Sequence, residues 1–133
     1  MENAENSSTT GFSYLIAEKN KLLAITLIGP LSDSGQSQYD QCLLEISKLE
    51  FVVAVINFRE VTVIENHGLQ FLANLQRALR KKAPELGICG LSPYLRDELT
   101  KSGVTRFGEI YNNLRDALVR LNAKAAGVKK QAA

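Results

Sequence analysis

Residues 53–79, VAVINFREVTVIENHGLQFLANLQRAL, change period halfway along. With two residues added in front, Phe51 to Phe58 form a continuous apolar, β-branched run, the pattern of a central strand covered on both faces. Arg59 and Glu60 interrupt that run, and Val61 to Ile64 resume it. From Leu69 onward the spacing turns helical. Leu69, Leu72, Leu75 and Leu79 form one stripe, Phe71 and Ala78 widen it, and Gln70, Asn74, Arg77 and Lys81 lie opposite. Arg80, Lys81 and Lys82 crowd the last turn, where cations oppose the helix dipole, and Pro84 stops the helix. Between strand and helix stand Glu65, Asn66, His67 and Gly68. An acid, an amide and the chain's one histidine meet in a single turn.

Working outward, the order of elements becomes clear. Upstream, Phe12 to Ile16 suit a short strand, Lys19 to Lys21 a hairpin turn, and Leu22 to Gly29 a second strand, which Gly29 and Pro30 break. The segment from Ser32 is a loop running into a helix with Tyr39, Cys42, Leu43 and Ile46 on one face, continued by Leu49. Downstream, Glu85 to Leu91 form a short strand. Ser92 caps a helix that Pro93 opens, with Leu95 and Leu99 inside and Gly103 at its end. A last strand over residues 109–111 precedes a helix capped by Asn113 and carrying Leu114, Ala117, Leu118 and Leu121. The order is β-β-α-β-α-β-α-β-α. It predicts an α/β fold with a mixed, largely parallel sheet of four or five strands, an N-terminal hairpin and about four helices. One domain is expected over residues 12–122, between a disordered polar segment, 1–11, and a flexible basic tail, 123–133.

Bulk composition narrows the function. The 133 residues are 45% hydrophobic and 23% charged, with a net charge of +2, which supplies no nucleic-acid footprint. No apolar run approaches the ~20 residues that cross a bilayer, and the N-terminus lacks signal-peptide features. The expectation is a cytoplasmic protein with no direct membrane insertion. Cys42 and Cys89 lie in apolar stretches without a neighbouring Cys or His, so buried free thiols are expected rather than a metal site or a disulfide scaffold.

The turn allows three readings: reactive site, switch or helix cap. A nucleophilic enzyme needs an activated hydroxyl or thiol beside its base, and His67 has none beside it in sequence. A metal needs more ligands than one histidine and scattered carboxylates provide, and no glycine-rich phosphate loop is present. The expectation is therefore no catalytic residues, no metal and no cofactor. As a cap, Asn66 or Glu65 would accept a backbone N–H through its side-chain oxygen, and Gly68 would let strand and helix pack closely.

The ordered set of segments resembles the STAS domain family of bacterial anti-sigma factor antagonists. Val53 to Phe58 resembles its buried strand, Glu60 to Ile64 the approach, Glu65-Asn66-His67-Gly68 its Asp-Ser-Ser-Gly turn, and Leu69 onward its helix. LGICGLSPYLRDELTKSGVTRF, residues 86–107, resembles the strand, helix and Gly-hydrophobic-x-x-Phe stretch that follow. Gly29-Pro30-Leu31-Ser32 resembles the family's Gly-x-Leu-Asp segment. The resemblance covers roughly residues 12–121.

It implies a non-catalytic interaction module whose turn serine is phosphorylated by a partner kinase, which breaks their complex. An added charge of about −2 disrupts an interface fitted to a neutral hydroxyl. This chain departs at that point. Aligned on Gly68, the phosphorylated serine falls on Asn66, the second serine on His67 and the acid on Glu65, while the Gly-x-Leu-Asp acid falls on Ser32, one place before Asp33. The implied binding surface comprises Ser32, Asp33, Ser34, Thr62, Glu65, Asn66, His67, Gly68 and Gln70. Ser32, Ser34 and Thr62 are displaced phosphosite candidates, and His67 is a candidate for titration or phosphorylation on nitrogen. The implied partner is an anti-sigma-factor-type kinase or another STAS protein, including a second copy in a homodimer. Two other roles fit the resemblance: a subunit of a lipid-transport complex docked on a transporter ATPase, and a nucleotide- or small-ligand-binding STAS domain.

Overall fold

The computed structural model describes residues 11–103 and 110–132, with side chains as far as residue 123. Except for Gly11, the segment expected to be disordered lies outside the described residues, as do Glu109 of the last expected strand and residues 104–107 of the Gly-hydrophobic-x-x-Phe stretch. The chain forms β1 (Ser13–Lys19), β2 (Leu22–Leu31), α1 (Gln36–Ser47), β3 (Val53–Ile64), α2 (Asn66–Arg80), β4 (Glu85–Cys89), α3 (Pro93–Ser102), β5 (Ile110–Tyr111) and α4 (Leu114–Ala132). This is the α/β order expected from sequence.

The five strands lie in the order β1-β2-β3-β4-β5. The first pair is an antiparallel hairpin, from Ser13 opposite Ile28 to Lys19 opposite Leu22. Its two turn residues, Asn20 and Lys21, have φ of 53° and 65°, as in tight hairpin turns whose twist matches the strands. All later neighbours are parallel. Alternation along β3 splits the core. Ala54, Ile56 and Phe58 pack with residues of α1, α2 and α3 on one face, whereas Val53 and Val55 pack with Ala117 and Leu121 of α4 on the other. The central strand is thus covered on both sides, as its continuous apolar run requires.

Three boundaries differ from the expectation. Gly29 and Pro30 do not end β2, which continues to Leu31. The antiparallel ladder with β1 stops at Ile28, so Pro30 lies beyond the pairs that would need its missing donor. Gly29 has φ of 88°, a left-handed conformation that glycine adopts at little cost. Nor do Arg59 and Glu60 interrupt β3. Between the pairs Thr26–Asn57 and Ile28–Glu60, β2 advances two residues and β3 three; the same occurs between Gly29–Val61 and Leu31–Ile64. Two β-bulges therefore place Phe58, Val61 and Ile64 on the core side at three-residue intervals, leaving Arg59, Glu60, Thr62 and Val63 exposed. Beyond Ala123, where the sequence expects a flexible basic tail, α4 is drawn on to Ala132 through a stretch rich in alanine and lysine, both good helix formers.

The remaining caps follow the sequence. Ser92 Oγ accepts the Leu95 N–H, and Asn113 Oδ1 accepts the Asp116 N–H. Lys82 reaches back to the end of α1, donating to the carbonyls of Ser47 at 2.8 Å and Leu49 at 2.6 Å. That ammonium answers the carbonyls a helix leaves unpaired at its C-terminus and fixes α1 against α2.

Candidate functional site

β3 runs beyond the shorter β4, whose last partner is Asn57, and ends beside the end of β2, its two bulges absorbing the extra residues. The Glu65 N–H donates to the Leu31 carbonyl at 2.8 Å, extending this contact by one residue. Gly68, in the first turn of α2, lies against the same carbonyl. A Cβ there would stand 2.3 Å from Leu31 O, so the close approach excludes any side chain.

The loop Ser32 to Gly35 then folds over the start of α2. The backbone N–H of Asp33 donates to Glu65 Oε1 at 2.8 Å, and the backbone N–H of His67 donates to Asp33 Oδ1 at 2.8 Å. His67 Nδ1 lies 3.2 Å from the Asp33 carbonyl and 3.6 Å from Oδ1, both side chains being 54% exposed. Each segment thus supplies the carboxylate that satisfies a backbone donor of the other. The helix is capped, but not by its own N-cap residue. Glu65 occupies that position without a side-chain bond to the helix, which corrects the expectation that Glu65 or Asn66 caps α2.

Tyr39 supports the loop from below. Its phenol donates to the Ser32 carbonyl at 2.6 Å, and its ring stacks on Phe71 at 4.4 Å and 11°. Burial, and then the carboxylates of Asp33 and Glu65, push the Tyr39 phenol up to about 12. By sequence spacing Tyr39 belongs only to the apolar face of α1. A buried phenol needs a hydrogen-bond partner, and that requirement was the available signal for its second role. Leu31, whose carbonyl meets both Glu65 and Gly68, was missed and has no side-chain signal at all.

The expected site residues fall into two groups. Asp33, Glu65, His67 and Gly68 are joined directly, with Ser32 and Ser34 in the same loop and their hydroxyls 3.0 Å apart. Asn66 and Gln70 are exposed on α2, one helical turn apart, and among the described residues neither side chain has a hydrogen-bond partner. Thr62 is exposed on β3 and takes no part in the clasp. Between α1 and α2, beside the clasp, lies an open cleft of about 250 Å³ lined chiefly by Gln36, Asp40, His67, Gln70 and Asn74.

His67 faces Asp33, and the two loop hydroxyls face each other. Among the described residues no cluster of three His, Cys, Asp or Glu could hold a metal ion. Cys42 and Cys89 are buried free thiols, as expected, and burial pushes them up to about 12 and about 11. No described helix is long and apolar enough to cross a membrane.

A family model described as the STAS domain matches residues 13–117. Among solved structures, an RsbS variant from Moorella thermoacetica superposes with a TM-score of 0.72 at 19% identity, covering 85% of this chain and 97% of its own. An anti-sigma factor antagonist from Mycobacterium paratuberculosis gives 0.70 at 17%, covering 84% and 95%. The anti-sigma factor antagonist SpoIIAA in its unphosphorylated form gives 0.66 at 15%, covering 84% and 97%. At these identities the likeness establishes the fold. Among curated proteins no sequence matches significantly.

Proposed function

The chain belongs to the STAS domain family, and from that premise we propose that it is a non-catalytic protein-interaction module of bacterial signalling, anti-sigma factor antagonist-like, in which Asn66 replaces the phosphorylatable serine. The observation that carries this reading is the position of Asn66. It is exposed at the first position of α2, beside the loop Ser32 to Ser34, with no hydrogen-bond partner among the described residues. A polar, uncharged group stands where a partner would meet a free serine hydroxyl.

The surroundings favour a permanently unphosphorylated-like state. A helix N-terminus ordinarily welcomes phosphate. Here Asp33 and Glu65 already place two carboxylates at that terminus, and an added charge of about −2 would meet like charges. The proposed partner is an anti-sigma-factor-type kinase or another STAS protein, held by Ser32, Asp33, Ser34, Glu65, Asn66, His67 and Gln70. Such a surface binds without being released by phosphorylation at the turn.

The test is a pull-down with the intact chain, followed by incubation of the captured partner with nucleotide. Recovery of a kinase of that class or of a STAS protein, with residues 62–68 free of phosphate by mass spectrometry, is the expected result. Stoichiometric phosphate within that stretch, or capture of a transporter ATPase instead, overturns the proposal.

A further inference from the structure

The connections that leave the sheet diverge between its last two strands, β4 and β5, which are parallel neighbours. After β4 the chain turns onto the face that holds α1 and α2, where Leu95 and Leu99 of α3 pack with Ile56 and Phe58. After β5 it turns onto the opposite face, where Ala117 and Leu121 of α4 pack with Val53 and Val55. Parallel neighbours whose connections leave to opposite faces open a crevice beyond their carboxyl ends. That is where open α/β sheets bind ligands.

Here the crevice is an open cavity of about 480 Å³, within the size of small-molecule sites. Leu91, after β4, and Leu114, after β5, line it, and each packs against the core of a different face. No residue of the Asp33–His67 clasp reaches it.

Its open polar groups are donors. Asn57 Oδ1 accepts the backbone N–H of Arg59 at 3.1 Å. The turn at Gly90 presses on this pair: a Cβ there would stand 2.6 Å from Asn57 Oδ1 and 2.8 Å from Arg59 N. The amide oxygen of Asn57 is thus engaged, while its Nδ2, partly buried beside the cavity, has no partner among the described residues. The Arg59 guanidinium likewise has no ion pair among the described residues, and no carboxylate lines the cavity. Asp116, in the first turn of α4, is held by Arg120 at 2.9 Å. The starts of α3 and α4 also face the crevice, but Ser92 and Asn113 already cap them. The free donors are those of Arg59 and Asn57.

An arginine fork matches the paired oxygens of a carboxylate or phosphate. We propose that the crevice binds a small organic oxyanion with a short apolar body, its acidic group on Arg59 and Asn57 and its body between Leu91 and Leu114.

The probes are butyrate and butyl phosphate, with butanol and butylamine as neutral and cationic controls, each titrated into the intact chain and followed by amide resonances. The anions should shift the side-chain amide of Asn57 and the backbone amides of Gly90 and Asn112, and the controls should not. A response to both marks a general oxyanion site; a response to one identifies the head group as carboxylate or phosphate ester. Arg59→Gln, at an exposed side chain, should weaken binding about tenfold, and Arg59→Lys, which keeps the charge without the fork, should weaken it less. Absence of binding by both anions, equal binding of butanol, undiminished binding by Arg59→Gln, or shifts centred on Asp33 to His67 overturns the proposal. The comparison of anion with alcohol uses the wild-type chain and holds even where a variant unfolds.

Discussion

Asp33 accepts, at Oδ1 and over 2.8 Å, the backbone N–H of His67, which lies 34 positions further along the chain. The opposite exchange, Asp33 N–H to Glu65 Oε1, closes the pair. A helix cap is ordinarily a local device, in which the N-cap side chain bonds a donor two or three residues on. Here the cap is a tertiary contact, so the start of α2 and the loop after β2 are held together as one surface. A partner that recognises the turn also meets Ser32 to Ser34.

Asp33→Ala should therefore lower stability by about 1 kcal/mol, the usual cost of a lost cap, and lower Tm by about 4 °C. Asp33→Asn keeps the accepting oxygen and should recover most of that loss. Thermal unfolding followed by circular dichroism checks both. Equal losses for the two variants would show that the carboxylate charge, rather than the hydrogen bond, holds the loop.

Gly68→Ala tests the other half of the junction. The added methyl would lie 2.3 Å from Leu31 O and 2.7 Å from Leu31 Cβ, against backbone that cannot rotate away. Overpacking of this kind costs about 3 kcal/mol, and the chain should unfold at clearly lower urea. A urea midpoint close to wild type would mean that α2 can move off the end of β2.

The clasp also marks where the sequence stops being informative. The apolar run of β3, the stripe of α2 and the caps at Ser92 and Asn113 are written in local spacing, and each was legible. So was the ordered set of segments that pointed to the STAS fold. The bulges in β3 were not. They place Phe58, Val61 and Ile64 on the core face at intervals of three, so a period-two reading sees an interruption at Arg59. The residues of the candidate turn were found, but not their partners. Asp33 reaches His67 only because β2 and β3 are parallel neighbours ending side by side, and no local pattern records that adjacency. Tyr39 looked apolar because its face of α1 is apolar; its hydroxyl matters only once Ser32 is seen above it.

Stability should fall in alkali. Burial pushes Cys42 up to about 12 and Cys89 to about 11, against an ordinary 9.0, and burial with Asp33 and Glu65 pushes Tyr39 from 10.0 to about 12. In the folded chain these groups keep protons that the unfolded chain has released, so the unfolded state binds fewer protons and stability declines as pH rises. The contribution is complete below about pH 9 and is lost progressively between about pH 9 and about pH 12. Urea midpoints measured across that range should drop. Tyr39→Phe should lower the neutral-pH midpoint, because the Ser32 carbonyl loses its donor, and should flatten the alkaline decline. A midpoint unchanged through the range would contradict the assignment.

Asn66 provides the sharpest separation of folding from recognition. Its side chain is exposed and has no partner among the described residues, so Asn66→Ser and Asn66→Asp should each change stability by less than about 0.5 kcal/mol. For Asn66→Asp the favourable helix dipole is opposed by the nearby carboxylates of Asp33 and Glu65. Binding should divide the two variants. If the partner captured by the wild-type chain fits a neutral polar group at this position, Asn66→Ser retains affinity, whereas Asn66→Asp introduces a charge into that contact and weakens it roughly tenfold or more. Calorimetry with the captured partner, paired with thermal unfolding of both variants, provides the measurement. Equal affinities would move the contact away from the turn; loss in both would show that the amide itself is recognised.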